Sequence, residues 1–208
     1  MFITFEGIDF CGKSTQVELL QTYLINKGKK VLLIREPGGT EISEKIRDIL
    51  LDKKNYKMTI ESEILLFSAS RAQLVREKIR PFLEEGYYVI SDRFHDSTTA
   101  YQGYGRGISI ESVKHINQVA IENTVPDITF LIDIPVNVYI NRKNQKNHTE
   151  LDRIEISHDH FYNKVRSGYL ELANSEKRFR VINGTHSIGE IHNIVVNELI
   201  LFEKKELV

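Results

Sequence analysis

Phe2-Ile3-Thr4-Phe5-Glu6-Gly7-Ile8-Asp9-Phe10-Cys11-Gly12-Lys13-Ser14-Thr15 is the stretch whose reading decides the fold. The run Phe2–Phe5 reads as a short buried strand. Val17, Leu20 and Leu24 then share one helix face, and Gly28 follows as a stop. Between strand and helix, Gly7–Ser14 fits G-x-x-x-x-G-K-[ST] in the context that the pattern requires. The residue types have physical reasons. Glycines let backbone N–H groups curl round a phosphate, and the helix behind them adds its positive N-terminal end. Lys13 is placed to bridge outer phosphates, and Ser14 to offer an oxygen to Mg²⁺. Gly7, Ile8, Asp9, Phe10, Cys11, Gly12, Lys13, Ser14 and Thr15 are therefore the candidate triphosphate-binding residues.

The same alternation recurs outward from this unit. Val31–Ile34, Tyr87–Ser91, Ile128–Ile134 and Phe179–Ile182 are further apolar runs that barely alternate, as strands covered on both faces should. Ile42, Ile46, Ile49 and Leu50 repeat a helical spacing. Ser187-Ile188-Gly189-Glu190 reads as a capping box opening a helix with Ile191, Ile194, Val195 and Phe202 inward. Strands alternating with helices predict an α/β fold with a mainly parallel sheet, whose ligands bind beyond the carboxyl ends of the strands. Three stretches read as irregular: Arg35–Thr40, Asp92–Gly107 and Asn144–Arg153. The first two leave strand ends, and the third lies between helices, a place for a mobile flap.

Composition narrows the function classes. Lys+Arg 28 against Asp+Glu 29 leaves a net charge of −1 with no run of like charge, which argues against a protein that coats a duplex. One cysteine excludes an internal disulfide framework and a Cys-cluster metal site. No apolar run is long enough to span a bilayer, and the first residues lack a basic n-region, so a cytoplasmic single domain over residues 1–208 is expected. Neither an Asp-x-x-Gly strand end nor an Asn-Lys-x-Asp guanine loop follows the phosphate loop, as a switch GTPase would require. A small kinase with a second, phosphate-accepting pocket fits the length better than an ATPase motor.

Three further stretches matter to that second pocket. They are Arg35-Glu36-Pro37-Gly38-Gly39-Thr40, Leu65-Leu66-Phe67-Ser68-Ala69-Ser70-Arg71, and Asp92-Arg93-Phe94 leading to Ala100-Tyr101-Gln102-Gly103-Tyr104-Gly105-Arg106-Gly107. Asp92 ends a hydrophobic strand beside the phosphate loop, the place for a ligand to Mg²⁺ or its water; the plainer reading is a cap on the next turn. Arg35 and Arg93, also at strand ends, offer cationic forks for a monophosphate. Phe67 on spacing alone reads as core packing, but Arg71 one turn on makes a purely apolar face uncomfortable, because a guanidinium needs acceptors.

With Leu151-Asp152-Arg153-Ile154-Glu155 and the Tyr162–Ala173 helix, these motifs resemble the bacterial thymidylate (dTMP) kinase family over nearly the whole chain. The resemblance implies a P-loop kinase with a five-stranded parallel sheet, helices on both faces and a short mobile lid over about 142–156. It implies transfer of the γ-phosphoryl of ATP to dTMP, giving dTDP and ADP for dTTP synthesis, with Mg²⁺ and in a homodimer. Within it Phe67 stacks on the pyrimidine, Arg71 bonds a thymine carbonyl, Ser97 and Gln102 lie near the base, and Tyr101 lies close to the sugar. Arg35 and Arg93 fall near the acceptor phosphate, and Asp9 between sugar and phosphate. The phosphate loop has no arginine, so the cation for the transferring phosphoryl is expected from the lid, at Arg153, with Arg142 second; Lys143, Lys146 and His148 crowd the same segment. The catalytic set is thus Lys13, Arg93, Arg153 and Asp9. A kinase for another nucleoside monophosphate or for a deoxynucleoside, or a nucleotide-dependent switch, are the alternatives. Most members of the family it resembles have Gly followed by a small residue where this chain has Phe10-Cys11, a departure that bears on the loop's conformation. Cys11 reads as a small packing residue, or else as a reactive thiolate near a helix N-terminus.

Overall fold

The computed structural model describes residues 1–145, 151–155 and 159–206. Five strands, β1 (Phe2–Glu6), β2 (Val31–Arg35), β3 (Tyr88–Asp92), β4 (Ile128–Asp133) and β5 (Phe179–Asn183), form one parallel sheet in the order β2-β3-β1-β4-β5. β1, β2, β3 and β5 end one residue beyond their apolar runs, on Glu6, Arg35, Asp92 and Asn183, and β4 ends one residue short of its run. The ladder needs only backbone there, and of these side chains Arg35 and Asp92 reach the crevice. The chain builds β2 and β3 on one side of β1 and then β4 and β5 on the other. That reversal opens a crevice at the end of β1, where the phosphate loop leaves.

The helices are α1 (Lys13–Asn26), α2 (Glu41–Leu51), α3 (Ile60–Leu74), α4 (Arg80–Glu84), α5 (His95–Thr98), α6 (Ile110–Ile121), α7 (Val136–Asn144), α8 (Asp159–Ser175) and α9 (Ile188–Glu206). On one face of the sheet Ile3, Phe5, Ile90 and Phe130 join Val17, Leu20 and Leu24 of α1 and Val195 and Leu199 of α9 in one core. On the other, Phe2, Ile34 and Val89 meet Leu74, Val75, Ile79 and Ile121. α8 packs against β4 and β5. The capping box forms reciprocally: Ser187 N donates to Glu190 Oε2 at 2.9 Å, and Glu190 N to Ser187 Oγ at 3.3 Å.

Three sequence expectations need correction. Ile42 and Ile49 are half exposed, and α2 instead buries Ser43 and Leu50, seven residues apart. A small polar residue suffices because Ser43 Oγ donates to the Ser70 carbonyl at 2.8 Å, tying α2 to α3. On α9, Leu199 is buried and Ile194 lies at the rim. Asp92–Gly107 is not irregular: α5 runs into a π-helical stretch, Thr99–Gly105. Its glycines are there for close approach, since a Cβ on Gly105 would meet the Phe161 ring at 2.5 Å.

The phosphate loop carries three left-handed residues. Gly7 (φ 138°) allows no side chain, because a Cβ would stand 2.4 Å from the Ile132 carbonyl oxygen. Gly12 (φ 100°) caps α1. Phe10 adopts φ 58°, so the large residue takes up the glycine-like conformation and rests its ring on Tyr139, centroids 5.8 Å apart. Cys11 is 1% exposed within the main core. Burial pushes its thiol up, outweighing the opposing pull of Lys13 and Arg93. The packing reading of Cys11 therefore holds. Its alkylation in the native protein should be slower than that of a free cysteine peptide. As Cys11 is the chain's sole cysteine, mass spectrometry counts one adduct or none. Alkylation at or above the peptide's rate would restore the thiolate reading.

Candidate active site

Two clefts open beyond the carboxyl ends of β1, β2 and β3. The first is walled by Arg35, Arg47, Phe67, Arg71, Ser97, Tyr101 and Gln102, and the second by Phe10, Gly12, Lys13, Thr15, Arg142 and Gln145. Asp9, Ser14, Asp92, Arg93 and Glu155 line both, so the clefts meet at this group. Of the phosphate-loop candidates, Gly7, Ile8 and Cys11 line neither cleft. The Ile8 and Cys11 side chains point into the core, and the Gly7 and Ile8 carbonyls accept from Lys13 Nζ at 3.1 Å each.

Arg93 and Asp9 form the junction. Arg93 has φ 72°, a strained value for a residue with a side chain, and both terminal nitrogens of its guanidinium are paired. Nη2 donates to Asp9 Oδ1 and to the Tyr101 hydroxyl, and Nη1 to the Gly7 carbonyl at 2.9 Å, Ser97 Oγ at 3.1 Å and Tyr169 at 3.2 Å. Burial alone would raise the Asp9 carboxyl. Arg93, Lys13 and the Tyr162 and Tyr101 hydroxyls, each 2.9 Å from Oδ2, more than offset it and hold the group below the usual carboxylate range. Asp9 is thus a fixed anion beside a fixed cation. Tyr162, quoted in the sequence only as the start of a helix and given no role there, is thus a contact of Asp9.

The first cleft gathers the expected acceptor residues. Phe67 is half buried with its ring on the cleft wall. Arg71 is 1% exposed, and every N–H of its guanidinium faces an acceptor: Glu36, Thr98, Asn117 and the Phe94 carbonyl. A base carbonyl would have to share one of these hydrogens. Glu36, quoted in the motif but given no role there, is Arg71's partner at 2.7 Å. Arg35 bonds the Pro37 carbonyl and Glu44, and Arg47, unmarked within the α2 pattern, joins it on the Pro37 carbonyl and on the cleft wall.

Arg153 is not at the phosphate loop. Its Nη1 pairs with Glu63 Oε2 at 2.7 Å, its Nε donates to the Leu50 carbonyl at 2.7 Å, and it lines neither cleft. The buried carboxylate on α3 outcompetes the cleft for this guanidinium. Arg142, on α7, is the arginine of the expected lid segment that lines the phosphate-loop cleft, held by the Phe10 carbonyl and the Gly184 carbonyl at 3.0 Å each. Of the expected lid, α7 carries 142–144, and Asp152 closes a turn on the N–H groups of Ile154 and Glu155 at 2.8 Å. Lys146 and His148 lie outside the described residues.

Ser14 Oγ donates to Asp92 Oδ2 at 2.7 Å, placing two hard oxygen donors together at the lip of both clefts. This donor set suits Mg²⁺, which keeps waters and takes substrate phosphate oxygens. Among the described residues no cluster of three or more His, Cys, Asp or Glu could hold a metal by itself. No described helix is long and apolar enough to cross a membrane.

A family model described as thymidylate kinase matches residues 5–195. The thymidylate kinase of Thermosipho melanesiensis is 54% identical over 92% of this chain and 93% of its own. That of Chlorobium luteolum is 50% identical over 96% of each. The solved thymidylate kinase of Ehrlichia chaffeensis superposes with a TM-score of 0.77 at 38% identity, covering 96% of this chain and 97% of that one. With the phosphate loop, the sheet order and the double cleft already in place, these likenesses settle its kinship: the chain belongs to the thymidylate kinase family.

Proposed function

We propose that the protein transfers the γ-phosphoryl of ATP to dTMP, giving dTDP and ADP. The observation that carries this reading is the shared wall of Asp9, Ser14, Asp92 and Arg93, which brings a triphosphate cleft and an acceptor cleft to one point. An acceptor phosphate oxygen attacks the γ-phosphorus as the bond to the β–γ bridging oxygen breaks. The attacking oxygen is already anionic, so no general base and no covalent enzyme intermediate are needed. Catalysis is positioning plus charge. Lys13 lies across the outer phosphates of the donor. Arg93, with Arg35 behind it, holds the acceptor phosphate, and Asp9 keeps Arg93 aimed. Arg142, from the wall of the donor cleft, takes the role expected of Arg153 and faces the charge that grows on the transferring group. Ser14 and Asp92 would hold Mg²⁺, which would neutralise charge between the phosphates. Phe67, Arg71, Ser97 and Gln102 surround the base, and Tyr101 the sugar.

Lys13→Ala should lose activity by orders of magnitude while its circular dichroism stays native. A folded variant with native turnover would remove the phosphate-loop assignment. In an assay of ATP consumption against a panel of monophosphates, dTMP and dUMP should be used ahead of dAMP and dGMP, and equal use of the purines would overturn the acceptor reading. Arg142→Ala should lower kcat far more than it raises KM for dTMP. If KM alone moves, Arg142 holds ground-state substrate and the transition-state cation lies elsewhere.

A further inference from the structure

Glu63, on α3, is 2% exposed and lines neither cleft, yet three side chains from two separate parts of the chain converge on it. Its Oε1 accepts from Gln102 Nε2 at 2.9 Å and from Arg106 Nε at 3.2 Å, and its Oε2 from Arg153 Nη1 at 2.7 Å. Burial works to raise this carboxyl, but Arg106, the Gln102 amide and Arg153 together hold it below the usual range. It is an anion at neutral pH, and an ionised carboxylate only accepts.

Of the three donors, Gln102 is the one that reaches the acceptor cleft. A side-chain amide carries its donor and its acceptor on the same carbon, so its orientation is decided by whichever end is claimed first. Glu63 can be satisfied only by the NH₂ end. The carbonyl oxygen is then the other end of the amide, and among the described residues nothing donates to it.

We propose that Glu63 is a positioning residue for base selectivity: by claiming the amide N–H of Gln102 it leaves a carbonyl oxygen to meet the acceptor's base, which favours a pyrimidine with N–H at ring position 3 over one whose ring nitrogen there is bare. This rests on the acceptor reading above. Thymine and uracil carry that N–H. Cytosine has a lone pair in its place, which would face the lone pairs of the Gln102 oxygen and leave two buried acceptors unpaired. Arg153 and Arg106 act at one remove, by keeping Glu63 ionised. Arg153 thereby gains a role in choosing the acceptor.

The test is steady-state kcat/KM for dTMP, dUMP and dCMP, measured on the full chain and on Glu63→Gln. A neutral amide at position 63 can donate or accept, so Gln102 is free to turn its NH₂ toward cytosine. The dTMP-to-dCMP ratio should fall by about tenfold or more, with kcat/KM for dCMP rising in absolute terms, a change worth about 1.4 kcal/mol per tenfold. If all substrates lose in proportion and the ratio stands, Glu63 is merely structural and the proposal falls. Should Glu63→Gln fail to fold, Gln102→Met leaves the Glu63–arginine pairs intact. A collapsed ratio in that variant supports the proposal, and an unchanged one overturns it. A native chain that does not use dTMP defeats the acceptor reading instead, so the two failures are distinct.

Discussion

A guanidinium that is withdrawn from water has to be surrounded by acceptors, and the placement of Arg93 follows from that constraint. Its partners come from the phosphate loop (Gly7 and Asp9), from α5 (Ser97), from the π-helical stretch (Tyr101) and from α8 (Tyr169). One side chain therefore fixes how four segments meet at the carboxyl end of β1. Beneath it, Glu6 accepts from the Phe94 N–H, Ser97 Oγ and Tyr169, so the hydroxyls that receive Arg93 are themselves held from below. Burial, and the nearby Asp96, push the Glu6 carboxyl up to about 7. The site is thus a stack of polar layers in which each layer orients the one above it, and little freedom remains in the groups that face the clefts.

What could be read from the sequence was what local chemistry dictates. The phosphate loop is a short motif whose glycines and lysine have direct physical reasons, and the strands announce themselves as apolar runs. Arg35, Asp92 and Arg93 were legible because a charge directly after such a run falls at the ligand-binding end of the sheet. The misreadings arise where a partner distant in the chain decides the outcome. Arg153 sits in a suggestive motif, but Glu63, ninety residues earlier, holds it. The glycines of the Asp92–Gly107 stretch suggested a loop, when Gly105 is small so that the Phe161 ring can approach a helix. Ile42 and Ile49 kept the right period, and a serine–carbonyl bond to α3 drew a different face of α2 inward. Tyr162 and Glu63 carry no local signal, because what they do is defined by what they touch.

Phe10 has a consequence that reaches past its own backbone. Its ring rests on Tyr139 of α7, Tyr139 stacks on Tyr162 of α8 with centroids 4.0 Å apart, and the Tyr162 hydroxyl returns to Asp9, the residue next to Phe10. The circuit closes on itself. Arg142 adds a second strut from α7 to the Phe10 carbonyl. Loop, α7 and the start of α8 are therefore cross-braced like a truss, and a displacement of α7 cannot occur without pulling on the loop's Asp9 and Phe10. A left-handed position held by an aromatic ring thus becomes a mechanical linkage, through which the phosphate-loop cleft and the anion paired with Arg93 shift together.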